Sequence, residues 1–169
     1  MSTKKLTRSA FMLALVIVLS VLESALPPIS TQFPGIRMGL GNIVTMYALF
    51  TIGKKQAFTL NILKAFSVFI TRGGVTAAAL SLTGGILSLL VIIVLHTLLK
   101  NKVSYMALSV AGAVFHNIGQ LAAISVILDN AAAFAYLPVL IVSGVVMGSI
   151  TGTILNTVMP RLNSISREV

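Results

Sequence analysis

Three hydrogen-bonding side chains interrupt an apolar stretch at residues 105–128. Residues 115–120 read FHNIGQ, so His116, Asn117 and Gln120 lie close together in the chain. Inside a membrane such groups contact a ligand, line a wet cavity, or bond across helices, where each bond contributes on the order of 1 kcal/mol. The pattern alone leaves ligand binding and interhelical bonding both open.

A second polar pattern lies in the third apolar segment. Asn61, Lys64, Val68 and Arg72 follow the spacing of three and four residues that places side chains along one helix face. A lysine at the centre of a membrane helix costs roughly 2.5 to 3.5 kcal/mol on insertion scales. Lys64 therefore needs water or a partner: it serves a ligand, pairs structurally with Glu23, or extends its stem toward the membrane surface.

We predict that the two patterns line one polar chamber. His116 lies about halfway along its segment, at a depth similar to that of Lys64, and Gln120 follows one turn later on the same face. Cations outnumber carboxylates among the residues expected here, so the ligand should carry an anionic group. The predicted ligand-binding residues are Lys64, Asn61, His116, Asn117, Gln120 and Asn42, with Arg72, Arg37 and Glu23 near the mouth.

The composition sets the class of protein. Of the 169 residues, 57% are hydrophobic and 9% are charged, whereas soluble domains have about 25% charged residues. We therefore predict an all-α integral membrane protein. It has a single transmembrane domain over residues 1–169 and no room for a soluble catalytic module.

Composition also argues against several kinds of site. Cysteine is absent, which excludes disulfides and thiol catalysis. The two histidines, His96 and His116, are too few ligands for a metal site. The formal net charge is +9, but the basic residues stand in ones and twos beside apolar segments, which indicates membrane topology rather than nucleic-acid binding. We predict no enzyme activity, no metal and no cofactor.

Six apolar segments lie between turn signals, at about residues 8–26, 39–53, 56–71, 76–99, 104–128 and 134–158. The second and third are short for a span of about 20 residues. Prolines and a glycine in residues 27–35 mark the first loop. With both termini in the cytoplasm, nine Lys and Arg residues lie on the cytoplasmic side, whereas only Arg37 and Arg72 lie outside. This positive-inside bias predicts six transmembrane helices with cytoplasmic termini.

Two patterns of small residues predict close helix contacts. Gly144, Gly148 and Gly152 recur every four residues in the last segment, a spacing that permits close backbone approach in lipid. We predict helix packing along this ridge. Ala10 and Ala14 form a weaker version of the pattern near the start of the first segment.

Five motifs resemble those of one bacterial membrane family. They are LESALPP (22–28), GLGNIVT (39–45), SLTGGILSLLV (81–91), FHNIGQL (115–121) and YLPVLIVSGVVMG (136–148). In this order they resemble the Gx transporter family, which is also labelled heptaprenyl diphosphate synthase component I. Chain-elongating prenyl synthases hold Mg²⁺ through paired aspartate-rich motifs, and this chain has a single aspartate, Asp129. The label therefore implies at most an assisting role in synthesis.

The size and the short second and third segments also resemble the substrate-binding S component of energy-coupling factor (ECF) transporters. This resemblance implies uptake of a small vitamin- or cofactor-like solute across the bacterial cytoplasmic membrane. It also implies a shared coupling subunit and two ATPase subunits as partners. In that group an AxxxA pattern on the first helix docks on the coupling subunit, and Ala10 and Ala14 match it.

Two other functions remain as alternatives. The first is a non-catalytic membrane partner in isoprenoid, quinone or flavin-linked electron-transfer metabolism, which accounts for the synthase label. The second is a self-sufficient secondary transporter. It fits less well, because ion coupling usually uses buried carboxylates or carbonyl sites in broken helices, and only Glu23 is available.

Overall fold

The described part of the chain folds into six α-helices. The computed structural model describes residues 3–25, 37, 39–72, 74–99 and 102–165, apart from the side chains of residues 4, 5, 72 and 161–165. The helices are α1 (Thr3–Ala25), α2 (Asn42–Thr51), α3 (Lys54–Arg72), α4 (Val75–Leu99), α5 (Tyr105–Ile127) and α6 (Leu137–Ile165), with a 3-10 helix (Ala131–Tyr136) before α6. These residues contain no strand, so the all-α prediction is confirmed. The loop predicted at residues 27–35 lies outside the described residues.

Local sequence explains several helix boundaries. The hydroxyl of Ser104 accepts a hydrogen bond from the Ala107 N–H at 3.2 Å and so caps the start of α5. Gly53 separates α2 from α3 with a φ of +129°, a conformation that favours glycine. Gly39 has a φ of +78°, so residues 39–41 form a turn, and α2 begins three residues later than the sequence predicted.

The short helix α2 lies inside the bundle. α5 packs between α4 and α6, and α3 links α4 to α1. α2 has only ten residues and contacts α1, α3 and α6. Residues 44–49 are all buried, which is typical of a helix that is surrounded on every side. Its first residue, Asn42, consequently reaches the interior of the bundle.

Three glycines of α6 face α5; they are Gly144, Gly148 and Gly152. A Cβ placed on Gly144 would lie 2.9 Å from Val114 Cα, and one placed on Gly152 would lie 2.6 Å from Met106 Cα. A side chain at either position would collide with the α5 backbone. The absence of a Cβ therefore allows α5 and α6 to make backbone contact.

The described helices are those of a multi-pass membrane protein. Four stretches are long and apolar enough to cross a membrane: Leu6–Ala25, Val75–Leu99, Tyr105–Ile127 and Ala131–Pro160. Large hydrophobic side chains such as Val126 and Leu98 are exposed on the surface, as expected for helices that face lipid. α2 is shorter, and α3 carries four basic residues. The six-span topology with cytoplasmic termini stays a prediction.

Candidate functional site

The buried lysine of α3 bonds the first residue of α2. Lys64 is only 3% exposed, and its Nζ donates a hydrogen bond to Asn42 Oδ1 at 2.6 Å. Gly41 leaves room for this contact, because a Cβ there would lie 3.3 Å from Lys64 Cδ and 3.2 Å from Ser20 Oγ. α3 thus presents a cation to the start of α2, away from bulk water.

Glu23, near the end of α1, binds the turn that precedes α2. Its carboxylate oxygens accept hydrogen bonds from the backbone N–H groups of Gly39 and Leu40, the second at 3.2 Å. Hydrogen bonds to a carboxylate are among the stronger ones in proteins. The sequence predicted Glu23 near the mouth of a chamber. In the structure its side chain is buried and bonds the backbone of this turn.

The amide of Gln120 clamps the backbone at Arg37. Gln120 Oε1 accepts a hydrogen bond from the Arg37 N–H at 2.9 Å, and Gln120 Nε2 donates one to the Arg37 carbonyl at 3.0 Å. Arg37 Nη1 donates to the Glu23 carbonyl at 3.3 Å. α1 and α5 therefore hold residues 37 and 39–41 from two sides. We name these residues the pre-α2 turn.

A small polar cavity lies beside the pre-α2 turn, and we name it the Lys64 cavity. Its described lining residues are Ser20, Glu23, Arg37, Gly39, Lys64, Val68, Ala77, Ser81, His116 and Gln120. Two cations and one carboxylate occur among them, which gives an excess of positive charge. The space open to the centre of a water molecule is about 20 Å³, which is enough for a water and too little for an organic solute.

Ser81 Oγ is a buried polar atom of the Lys64 cavity with no hydrogen-bond partner in the described part of the chain. His116 Nδ1 is buried against the Gly84 backbone and forms no hydrogen bond of regular geometry with it. Leaving such a group buried and unsatisfied costs about 1–3 kcal/mol. A water or a bound solute that reaches these atoms offsets the cost.

A second cavity lies on the other side of the pre-α2 turn, and we name it the Ser88 cavity. Its described lining residues are Gly39, Asn42, Thr45, Met46, Ser88, Leu89, Ile92, Ser109, Gly112, Ala113, Met147 and Thr151. Its space for water centres is also about 20 Å³. In α5, Ser109 precedes His116 by seven residues, about 10 Å along the helix axis. The two cavities are therefore stacked along the bundle, and Gly39 borders both.

The chain matches the model of a known protein family. The family model described as heptaprenyl diphosphate synthase component I matches residues 12–158. The chain belongs to this family. The matched range includes every described residue that lines the two cavities. No curated protein and no solved structure matches the chain.

In this member of the component I family, most of the predicted site residues meet at the Lys64 cavity. Those that line it are Glu23, Arg37, Lys64, His116 and Gln120. Asn42 lines the Ser88 cavity and accepts the hydrogen bond from Lys64. Lys64 and His116, which the sequence predicted at similar depth, both line this cavity.

Two predicted residues face other surroundings. Asn61 turns toward α4, where its Nδ2 donates to the Leu82 carbonyl at 3.4 Å and its side chain lies against Gly85. Asn117 faces α6 and donates from Nδ2 to the Leu140 carbonyl at 2.7 Å. Both residues bond across helices and neither lines the Lys64 cavity. The side chain of Arg72 lies outside the described residues.

The sequence patterns did not predict the hydroxyl groups that line the Lys64 cavity and the Ser88 cavity. Ser20 and Ser81 line the Lys64 cavity, and Ser88 lines the other. A single serine in an apolar helix gives no clear signal, because its hydroxyl commonly bonds a carbonyl of its own helix. One pattern was available: Ser81 and Ser88 lie seven residues apart, and this spacing places them on one face of α4.

A wider groove, which we name the α1–α6 groove, lies on the surface between α1 and α6, and residues of α2 also line it. Its described lining residues are Arg8, Phe11, Met12, Leu15, Ile43, Val44, Tyr47, Ile154, Leu155 and Val158, and its volume is about 420 Å³. Arg8 Nη2 donates to the Tyr47 hydroxyl at 3.2 Å at one end. Ala10 and Ala14 are exposed on the same α1 helix.

Proposed function

We propose that this chain is the solute-binding subunit of an ATP-driven uptake transporter of the ECF type, with the Lys64 cavity as its solute site. The observation that carries the proposal is a buried lysine on a cavity where Ser81 and His116 have unpaired polar atoms. Ionisable groups inside membranes are expensive, and they mark solute and ion pathways. Helix packing alone gives no reason to retain the Lys64 cation and the polar side chains of Ser81 and His116 at one cavity.

The charge of the cavity supports an anionic solute. Lys64 and Arg37 contribute positive charge, and the Glu23 carboxylate already accepts two backbone hydrogen bonds from the pre-α2 turn. A carboxylate or phosphate on the solute would form a charge-assisted hydrogen bond with Lys64 Nζ. Ser81 would then orient the rest of the solute through its hydroxyl, and His116 through Nε2, which faces Gly39.

The Lys64 cavity is too small for an organic solute in the described conformation, so solute entry requires a rearrangement, which we assign to the pre-α2 turn. Four hydrogen bonds join the backbone of this turn to the side chains of Glu23 and Gln120. The two bonds to the Gln120 amide contribute about 0.5–1.5 kcal/mol each and the two to the Glu23 carboxylate about 1.5–3 kcal/mol each, so the loss of all four costs roughly 4 to 9 kcal/mol. Opening of this kind is accessible as a minor state, which a solute that binds the open form would stabilise.

The proposed transport partners fit the surface of α1. With both termini in the cytoplasm of a bacterial cell, the α1–α6 groove lies toward the cytoplasmic half of the membrane. Ala10 and Ala14 are exposed near it and would allow a helix of the coupling subunit to approach closely. ATP hydrolysis would take place on two separate ATPase subunits.

The family description favours one alternative function. A component of a heptaprenyl diphosphate synthase would act as a non-catalytic membrane partner in isoprenoid, quinone or flavin-linked electron-transfer metabolism. Co-purification from native membranes distinguishes the two functions. Recovery of a coupling subunit and ATPases supports the transporter, and recovery of a prenyl synthase or a flavoprotein supports the alternative.

Calorimetric titration of the purified protein tests the solute site. The titrants are anionic vitamins, flavins and quinone precursors, each paired with an analogue in which the anionic group is masked as an ester or amide. We expect at least one anion to bind and its masked analogue to bind far more weakly. Lys64→Gln and His116→Ala should weaken binding, whereas Lys102→Gln, at an exposed lysine, should not. The proposal fails if both cavity variants retain full affinity for every solute that binds.

A further inference from the structure

Two described residues, Gly39 and Asn42, lie where the two cavities meet. Gly39 borders both cavities, and Asn42 lines the Ser88 cavity while bonding Lys64 of the other. A Cβ placed on Gly39 would lie 2.6 Å from Asn42 Nδ2 and 2.9 Å from His116 Nε2. Without a side chain at residue 39, the Asn42 amide and the His116 ring approach each other across the turn.

The Ser88 cavity has a different chemistry from the Lys64 cavity. Its polar groups are the hydroxyls of Thr45, Ser88, Ser109 and Thr151, together with the Asn42 amide. None of its described lining residues carries a charge. Two thioethers, from Met46 and Met147, complete a lining that adapts in shape and offers neutral hydrogen bonds. Ser109 Oγ already lies 3.3 Å from Met46 Sδ, a weak acceptor that a better one would replace.

We propose that the Ser88 cavity is a second compartment of the solute site, which holds the neutral, hydrogen-bonding part of an elongated solute whose anionic group binds Lys64. This inference rests on the function proposed above and specifies the class of solute. A compact anion fills only the Lys64 cavity. A solute with a neutral body of hydroxyl, carbonyl or amide groups extends about 10 Å further along α5, past the pre-α2 turn.

Lys64 couples the arrival of the anion to the opening of the barrier at Gly39 and Asn42. Its Nζ donates to Asn42 Oδ1, and an anion on the solute competes with this neutral acceptor. Once Asn42 is displaced from Lys64, its side chain is free to rotate away from Gly39 and to bond the solute. The same solute thus removes the barrier and occupies the space behind it.

Single-cysteine labelling tests this route, because the natural chain contains no cysteine. Ser88→Cys, which is nearly isosteric, places one thiol in the inner compartment. Right-side-out membrane vesicles are treated with (2-sulfonatoethyl) methanethiosulfonate, an anionic reagent that does not cross membranes. Ser81→Cys reports on the Lys64 cavity. Lys102→Cys, in an exposed loop on the opposite side of the predicted topology, should react only after permeabilisation.

We expect Ser81→Cys and Ser88→Cys both to react from outside. Adding Gln120→Ala, which removes the clamp on Arg37, should accelerate labelling of Ser88→Cys about tenfold, as expected when one or two hydrogen bonds are lost. The charge preference of a thiol is the ratio of its labelling rates with the anionic reagent and with the cationic reagent (2-trimethylammonioethyl) methanethiosulfonate. Each rate is first divided by the rate of that reagent with a free thiol. Ser88→Cys should prefer the anion, and Lys64→Gln should reduce that preference by about tenfold, because the cation on the route is gone.

The possible results separate this inference from the function on which it rests. If Ser81→Cys is labelled but Ser88→Cys is not, even when Gln120→Ala is added, the second compartment is overturned and the Lys64 site is left intact. Labelling of neither thiol overturns both. Labelling of Ser88→Cys with a charge preference that Lys64→Gln does not change shows a route that bypasses Lys64, and it also overturns the inference. Ser109→Cys provides a second inner thiol if Ser88→Cys fails to fold.

Discussion

The two sides of α5 present similar polar side chains to different surroundings. On one side, Asn117 donates to the Leu140 carbonyl at 2.7 Å, in an interface where glycines bring α5 and α6 into backbone contact. On the other side, His116 and Gln120 face the Lys64 cavity and the pre-α2 turn. All three residues are buried. Burial and residue type therefore do not distinguish a side chain that bonds another helix from one that belongs to a solute site. What the side chain faces, a helix carbonyl or a cavity, does distinguish them.

The comparison predicts opposite effects of mutation on the two sides. Asn117 bonds the backbone of a long helix, so changes around it should lower stability and leave solute binding alone. Both sides contain a buried polar atom without a described partner, Asn117 Oδ1 on one and His116 Nδ1 on the other. The cavity side also contains a buried cation, Lys64, which destabilises the empty protein. Changes there should lower solute affinity and leave stability unchanged or increased.

The largest expected effect is that of Lys64→Gln on the affinity for an anionic solute. Truncating one partner of a buried charge pair typically costs about 2–5 kcal/mol, or roughly 30- to several-thousand-fold in Kd. Glutamine keeps a donor for Asn42, so the variant should fold, and its Tm should not fall. Calorimetric titration with a solute that binds the natural chain measures the loss. An unchanged Kd, equal to that of Lys102→Gln, would contradict the assignment.

On the packed side, Gly148→Ala should have the next largest effect. A methyl group at residue 148 would collide with Val110 of α5, and overpacking of this kind costs typically about 1–3 kcal/mol of stability. Thermal unfolding in detergent should show a lower Tm, with unchanged solute affinity in the folded fraction. Gly74→Ala is the matched control, because no described atom lies within 4 Å of the added Cβ. Equal Tm values for the two variants would show that the ridge is not tightly packed.

Ser81→Ala should weaken solute binding by about 0.5–1.5 kcal/mol, the net contribution of one hydrogen bond. It should leave the free energy of unfolding unchanged or raise it, because the removed hydroxyl has no described partner. Ser149→Ala serves as the control, since that hydroxyl donates to the Val145 carbonyl of its own helix at 2.8 Å. A loss of stability without a loss of affinity would show that Ser81 stabilises the fold and does not bind the solute.

The smallest expected effect is that of Asn117→Ala. Interhelical hydrogen bonds in membrane proteins contribute about 0.6 kcal/mol on average and at most about 1.7 kcal/mol. Denaturant unfolding should therefore show a small loss of stability, and titration should show the solute affinity of the natural chain. If affinity falls while stability holds, Asn117 belongs with the solute site and the two sides of α5 do not differ as described.

Much of this arrangement follows from the sequence. Hydropathy and turn signals located the helices, and spacing placed His116 and Gln120 on one face of α5, where they meet Lys64 at one cavity. Asn61 shows the limit of spacing. Asn61 lies about 60° around the helix axis from Lys64 and three residues earlier, and this offset is enough to turn its side chain toward Gly85 of α4.

The pre-α2 turn was beyond prediction for a different physical reason. The positive φ of Gly39 delays the start of α2, which brings Asn42 to Lys64 and exposes two backbone N–H groups to Glu23. These contacts join residues that are 16, 17 and 22 positions apart in the chain. Local periodicity carries no information on such pairs, because they depend on how α1, α2 and α3 pack together.

An experimental structure of the chain with a solute bound, either retained during purification or added after titration, tests the central claim most directly. We predict an anionic group of the solute at about 2.7–2.9 Å from Lys64 Nζ, the length of a charge-assisted hydrogen bond. The pre-α2 turn should be displaced from its contacts with Glu23 and Gln120. A solute bound elsewhere, with Lys64 still on Asn42 and the Lys64 cavity still closed, would contradict the account.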